Sequence, residues 1–248
     1  MPAVTLPSFL NAGLSLARDS AVVPARARKP RDKAKAEVGV QVVPDVEPYE
    51  LMKLRLLNAG HQALGHFARL LGYEYVHDAA ADPDVRELLR RYMQEEARPT
   101  LRPVPGIDLD DYIDTLLDRF SNPAIADTVA RLCQDASDRI PKWLVPVIVS
   151  RLDAGAAAPL AAAVVAAWTR GCEGFDDAGT PIVQGDREAD ALARRAVDSR
   201  TEPLAFVAVP DLFGDLADRP GFTDPYLAAL TALRESGARA VLRELLAR

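Results

Sequence analysis

The stretch "LMKLRLLNAGHQALG" (residues 51–65) combines leucines at helical spacing with three polar side chains. Its apolar positions recur at steps of three and seven residues: Leu51, Leu54, Leu57 and Leu64. This spacing predicts a helix with one buried face. Pro48 suits the first turn of that helix, where a missing N–H costs little. We therefore predict a helix from Pro48 to about Leu71 that ends at Gly72.

The same helical pattern fills most of the remaining chain. We predict further helices over residues 83–98, 110–120, 124–134, 140–152, 159–170, 187–198 and 225–246. Only residues 38–46 alternate as a strand or extended entry does, and no internal repeat interrupts the pattern. The sequence therefore predicts a mainly α, multi-helical domain over residues 38–248.

Composition separates a short leader from this domain. Residues 1–37 hold seven basic and three acidic groups, whereas the whole chain has a net charge of −6. We expect residues 1–37 to be a disordered basic leader and not a nucleic-acid arm, because no aromatic residues interleave its charges. The apolar run over residues 156–168 is too short to cross a membrane and predicts a buried helix. Sparse cysteine, Cys133 and Cys172, favours free buried thiols and a cytoplasmic location.

Three polar residues of the opening stretch lie on one side of the predicted helix. At 100° per residue, Lys53, Asn58 and His61 project into an arc of about 140°. They can converge on one ligand in that arrangement. The alternative is a solvated lysine, a helix-surface amide and a histidine whose hydrogen bonds are satisfied within the fold.

The segment "KLRLLNAGH" resembles a known pattern: a lysine, an asparagine five residues later and a histidine three further on. This pattern marks the polyol-specific long-chain dehydrogenases. The resemblance continues through "LLGYEYVHDAAADPDVRELLRRYMQEEARPTL", "VPGIDLDDY" and "RFSNPAIADTVARLCQDASDRIPKW", and covers about residues 38–248. The family joins a nucleotide-binding Rossmann domain to a helical substrate domain of the mannitol dehydrogenase C-terminal type, which is 6-phosphogluconate dehydrogenase C-terminal-like. This chain resembles the second domain.

The resemblance implies a role for each polar residue. Lys53 would act as general base, since burial can lower the pKa of a lysine toward neutrality. Asn58 would stabilise the developing alkoxide and His61 would orient the reacting oxygen. Arg131 and Arg139 would bind substrate hydroxyls, although a surface salt bridge is the alternative for each arginine. Many relatives read Asp-Gly-Ser and then lysine where this chain has Asp135-Ala136-Ser137 and Arg139.

The resemblance also implies NAD as cofactor and a sugar alcohol and its ketose as substrate and product, without a metal. No two of the fourteen glycines stand two residues apart, so the chain has no G-x-G fingerprint for a dinucleotide. We therefore expect a Rossmann domain to be supplied in trans. The alternative is a truncated, catalytically silent remnant that keeps the fold and binds a ligand or partner weakly.

Overall fold

A computed structural model describes Val22–Pro24 and residues 41–247, and the described chain is mainly helical, as predicted. Strand β1 (Val22–Pro24) pairs in parallel with β2 (Gln41–Val43), with Val22 opposite Gln41. Strand β2 lies within the predicted extended entry. Strand β1 lies within the predicted leader, and the other leader residues lie outside the described residues.

Twelve α-helices follow β2 within the described residues. They are α1 (Glu47–Met52), α2 (Ala59–Leu70), α3 (Val76–Ala81), α4 (Pro83–Arg91), α5 (Leu109–Phe120), α6 (Val129–Leu132), α7 (Ala136–Trp143), α8 (Val145–Asp153), α9 (Pro159–Cys172), α10 (Ala189–Asp198), α11 (Pro210–Phe213) and α12 (Pro220–Leu246). Two π-helical turns extend α1 and α4: the first π turn (Lys53–Asn58) and the second π turn (Tyr92–Ala97). Short 3₁₀ turns cover Arg98–Thr100, Pro123–Ile125 and Leu216–Asp218.

Helix α9 forms the centre of the core and confirms the predicted buried helix. Its sequence "PLAAAVVAAWTRGC" is apolar on every face, which is typical of a helix surrounded by protein. It packs against α12 on one side and α2 on another. The indole of Trp168 meets Phe206 edge-on, with ring centroids 5.0 Å apart. The small alanines allow the neighbouring helices to approach closely.

The predicted helix over residues 48–71 is present, but its middle is not α-helical. Helix α1, the first π turn and α2 form one continuous helical run. Gly72 ends the run with φ of +79°, a left-handed conformation that glycine adopts without steric cost. The predicted start of α4 is also confirmed, because the Asp82 carboxylate accepts hydrogen bonds from the N–H groups of Asp84 and Val85.

Two predicted helices were wrong in detail. Residues 124–134 do not form one helix, since Ala126 is left-handed with φ of 49° and Thr128 is extended and bridges Tyr75. The helix predicted over residues 140–152 begins earlier, at Ala136, and is interrupted at Leu144. The bridge from Thr128 to Tyr75 overrides the periodicity of the first segment, and Pro146 in the first turn of α8 suits the break in the second.

The long final helix also differs from its predicted bounds. Helix α12 begins five residues before Pro225, and its helical run is broken at Gly237, where φ is +79° and ψ is 170°. The two cysteines are buried free thiols, as predicted. Within the described residues, no helix combines the length and apolar character that a membrane crossing needs.

Candidate active site on the first π turn

The first π turn changes the register of the candidate catalytic residues. The backbone N–H of Ala59 donates to the carbonyl of Leu54, five residues earlier, where an α-helix would use Arg55. In this register, residues five apart are related as residues four apart are in an α-helix, which brings Lys53 and Asn58 to the same face of the helical run. The arc calculated at 100° per residue was too wide for this pair.

Lys53 is half-buried at the start of the π turn. Burial lowers the pKa of its ammonium, and the nearby charge of Glu50 opposes that effect without reversing it. Asn58, at the other end of the turn, is also half-buried. The π turn thus carries an ammonium group of lowered pKa at one end and an amide at the other.

His61 lies on α2, one turn beyond Asn58. Its ring packs against Phe120, with centroids 4.8 Å apart and planes at 44°. Burial, together with the positive charge of Arg131, lowers the pKa of His61 to about 3. The imidazole is therefore neutral at ordinary pH and offers one donor and one acceptor nitrogen.

A small open pocket adjoins His61. It lies where α2, α3 and the end of α5 meet the turn before α6. Its lining is formed by His61, Val76, His77, Arg119, Phe120, Asn122, Ile125 and Asp127. The pocket is mixed in character, with apolar walls and several hydrogen-bonding groups, as a site for a small polar ligand requires.

Arg131 pairs with Asp127, which lines this pocket. Its guanidinium makes a two-pronged ion pair with the Asp127 carboxylate, through Nε and one terminal nitrogen. Burial alone would raise the pKa of Asp127, but the hydrogen bonds and charge of Arg131 outweigh it and lower that pKa. The rest of the guanidinium is exposed and able to contact a ligand.

Arg139 has a more structural setting than the resemblance implied. One terminal nitrogen donates to the carbonyls of Arg131 and Leu132, 3.1 and 3.2 Å away, at the end of α6. Its guanidinium also lies over the Trp143 ring, 5.6 Å from the centroid. A cation in this position stabilises the C-terminal end of α6. Arg139 thus holds the backbone that carries Arg131.

Backbone geometry holds α6 close to α2. A Cβ added to Gly65 would lie 3.1 Å from the Cys133 sulfur and 3.2 Å from the Leu132 Cβ, so only glycine fits without displacement. The left-handed residues Ala126 and Asp135, each with φ of 49°, stand on either side of α6. Such strained conformations persist where the surrounding structure fixes them, and they are frequent at functional sites.

These contacts place the five candidate residues in two neighbouring groups. His61, Arg131 and Arg139 are close enough for their charges to interact, together with Asp127. Lys53 and Asn58 lie on the preceding turns of the same helical run, and α7, which carries Arg139, packs against the first π turn. Of the five candidate residues, His61 alone is in the lining of the pocket described above.

Sequence reasoning missed Asp127 and the π turn itself. Asp127 precedes Arg131 by four residues, a spacing that suits an ion pair on a helix, so this partner was open to prediction. The π turn has no comparable local signal. In the part of the chain that the structure describes, no three His, Cys, Asp or Glu side chains are grouped as metal ligands.

Comparisons with known proteins agree with this fold. The model of the mannitol dehydrogenase C-terminal domain matches residues 45–234. A mannitol 2-dehydrogenase of Phaeosphaeria nodorum is 41% identical over 221 residues, which is 88% of this chain and 38% of that protein. The structure of Pseudomonas fluorescens mannitol 2-dehydrogenase, a ternary complex with NAD and D-mannitol, superposes with a TM-score of 0.86 at 38% identity, covering 92% of this chain and 46% of that one.

A substrate-free D-sorbitol dehydrogenase superposes with a TM-score of 0.78 at 25% identity, covering 97% of this chain and 52% of that one. All of these similar proteins act on sugar alcohols by name. The chain belongs to the mannitol dehydrogenase C-terminal domain family, which confirms the predicted resemblance and helical fold class. It spans about two fifths of the length of the P. nodorum relative and about half of the two solved structures.

Proposed function

We propose that this chain is the substrate-binding and catalytic domain of an NAD-dependent polyol 2-dehydrogenase. The reaction would oxidise a sugar alcohol of the mannitol or arabitol type to its ketose, in the cytoplasm. The observation that carries the proposal is the first π turn, which aligns a lysine of lowered pKa with an amide donor. Membership of the family and the NAD and D-mannitol complex of the P. fluorescens relative support it.

Each residue has a step that its surroundings favour. Lys53, as the neutral amine, would accept the proton of the substrate hydroxyl while NAD, when bound, accepts the hydride. The Asn58 amide would donate a hydrogen bond to the oxygen as negative charge develops on it. His61, neutral and packed on Phe120, would donate a second hydrogen bond and fix the orientation of that oxygen.

Substrate hydroxyls farther from the reacting carbon would meet the pocket beside His61. The exposed part of the Arg131 guanidinium presents several donors there in a fixed plane. Asp127 would keep that plane constant, and Arg139 would support the backbone beneath it. Preorganised donors of this kind favour a substrate with adjacent hydroxyl groups.

The connection from β2 to α1 does not have the form of a dinucleotide-binding turn. Strand β2 leads into α1 through Pro44, Asp45 and Val46, a connection without the glycines that let a backbone approach a pyrophosphate. We therefore propose that the nucleotide is held by a separate Rossmann domain. This part of the proposal is independent of the roles of Lys53, Asn58 and His61.

The test is NADH formation with D-mannitol, D-arabitol and D-sorbitol. It uses the purified 248-residue chain and, in parallel, a joined protein in which this chain follows the portion of the P. fluorescens enzyme that it does not match. We expect turnover by the joined protein and none by the chain alone. A folded joined protein that forms no NADH with any of the three polyols would refute the proposal and favour the silent remnant.

A further inference from the structure

The two π turns meet at one buried hydrogen bond. Tyr92, the first residue of the second π turn, is fully buried. Its hydroxyl donates to the carbonyl of Arg55, 3.1 Å away, in the middle of the first π turn. The two π turns also pack against each other along their length.

The acceptor of this bond, the Arg55 carbonyl, loses its usual helical donor in the π register. In an α-helix, the Arg55 carbonyl would accept the N–H of Ala59, four residues later. Here Ala59 donates to Leu54 instead, and also approaches Leu56. The Tyr92 hydroxyl supplies the Arg55 carbonyl with a donor that Ala59 does not provide. It therefore compensates for the change of register at the residue where the change occurs.

The side chain of Arg55 makes a second bond to the region of the second π turn. The Arg55 guanidinium donates to the carbonyl of Thr100, 2.7 Å away, just beyond the second π turn. The hydroxyl of Thr100 in turn donates to the carbonyl of Ala97 at 2.6 Å. Arg55 is thus tied to the second π turn and its exit through both its backbone and its side chain.

We propose that Tyr92 is a positioning residue whose hydroxyl maintains the π register of Lys53–Asn58, and so keeps Lys53 and Asn58 aligned on one face. The inference rests on the proposed function for its catalytic meaning. Tyr92 itself does not reach the substrate, because it lies in the core behind the π turn. Its contribution is geometric and passes through the Arg55 carbonyl.

The test compares Tyr92→Phe with Tyr226→Phe. Tyr226 is also fully buried, and its hydroxyl lies 3.1 Å from that of Thr169, so the control loses a buried hydroxyl contact elsewhere in the core. The chain has only five lysines, so the ¹³Cε signals of the labelled 248-residue protein are resolvable, and Lys53→Ala assigns the one required. Glu50, the charge that acts on Lys53, is present in both variants.

We expect Tyr92→Phe to raise the pKa of Lys53 toward its ordinary value, because a relaxed turn exposes the ammonium. We also expect faster hydrogen exchange at the Ala59 amide. Tyr226→Phe should change neither value. If Tyr92→Phe lowers stability as the control does but leaves both values unchanged, Tyr92 is a packing residue and the proposal is wrong.

A milder variant covers the case in which Tyr92→Phe fails to fold. Arg55→Lys keeps the positive charge but loses the planar group that reaches Thr100, and we expect a smaller change in the same two values. No change would overturn the proposal.

Neither the Lys53 titration nor the Ala59 hydrogen exchange needs turnover, so an inactive joined protein would refute the proposed function alone. If the joined protein is active, Tyr92→Phe should shift the pH profile of kcat, and an unshifted profile would refute the positioning role alone.

Discussion

The two π turns share a backbone geometry but differ in their surroundings. The first is half-exposed and carries Lys53 and Asn58. The second is mostly buried and turns the Glu96 carboxylate toward the N-terminus of α9. There Glu96 accepts the N–H groups of Leu160 and Ala161 at 2.7 and 2.8 Å. The same distortion therefore serves a candidate reaction site in one place and core architecture in the other.

Burial decides what each of these irregular turns does with its side chains. Burial lowers the pKa of Lys53, which favours the neutral amine, and raises the pKa of Glu96 to about 7, which favours the neutral acid. A half-exposed amine can accept a proton from a substrate. A buried carboxyl bonded to backbone N–H groups can only change the stability of the fold with pH.

The largest expected effect is on the first turn. In the joined protein, Lys53→Ala should lower kcat by about 10²-fold or more, because a positioned general base is lost. The urea midpoint should stay near that of the wild type, since the side chain is half-exposed. Lys142→Ala is the control, because Lys142 lies on the surface and pairs with Asp138. A near-normal rate for Lys53→Ala would show that the first π turn, like the second, does not supply a general base.

The second turn should instead show its effect in stability. The unfolded chain releases the Glu96 proton near pH 4.5 and the folded chain near pH 7. Between these values the folded state binds more protons, so the free energy of unfolding falls as pH rises, by about 3 kcal/mol in total. Glu96→Gln should remove this fall, as measured by urea unfolding from pH 4.5 to 8.

Glu95→Gln is the matched control for this prediction. Glu95 occupies the neighbouring position of the same turn but is exposed and pairs with Arg91. We expect its unfolding profile to keep the wild-type slope over the same range. Equal slopes for wild type and Glu96→Gln would mean that Glu96 is not the group responsible.

A smaller effect is expected beside the first turn, at the ion pair that holds Arg131. Asp127→Asn keeps the shape of the side chain but loses the charge that fixes the guanidinium. Because Arg131 is more than half exposed, we expect the KM for polyol in the joined protein to rise by only about fivefold, with little change in kcat. Asp118→Asn, which loosens the surface pair with Arg86, should leave KM unchanged. A fall in kcat without a change in KM would contradict the assigned role.

The smallest effect tests whether strain is concentrated on the pocket side. Ala126 is exposed and left-handed, so Ala126→Gly should stabilise the chain by about 0.5 kcal/mol in urea unfolding. The same substitution at Ala130, which is exposed but helical, should destabilise by up to about 1 kcal/mol. Effects of the same sign at both positions would show that the backbone at Ala126 is not strained.

Local signals in the sequence predicted those parts of the fold that depend on neighbouring residues. The Asp82 cap and the Gly72 stop were confirmed because each acts within one turn of the chain. The break at Ala126–Thr128 was missed because it depends on pairing of Thr128 with Tyr75, far away in sequence. Helical periodicity alone could not indicate that contact.

The candidate site also combines residues that the sequence predicted with an arrangement that it did not. The resemblance selected Lys53, Asn58 and His61, and the structure adds the alignment of the first two through the π turn. That alignment was not predictable, because the bond from Tyr92 to the Arg55 carbonyl joins residues 37 positions apart. The roles of all five candidate residues remain predictions.

The central claim is that the first π turn holds Lys53 as an amine ready to accept a proton. The most direct measurement is a titration of the Lys53 ¹³Cε signal in the folded 248-residue chain and again in urea. We predict a lower pKa for Lys53 in the folded chain than in the unfolded chain, because burial disfavours the ammonium. An equal or higher pKa in the folded chain would contradict the account.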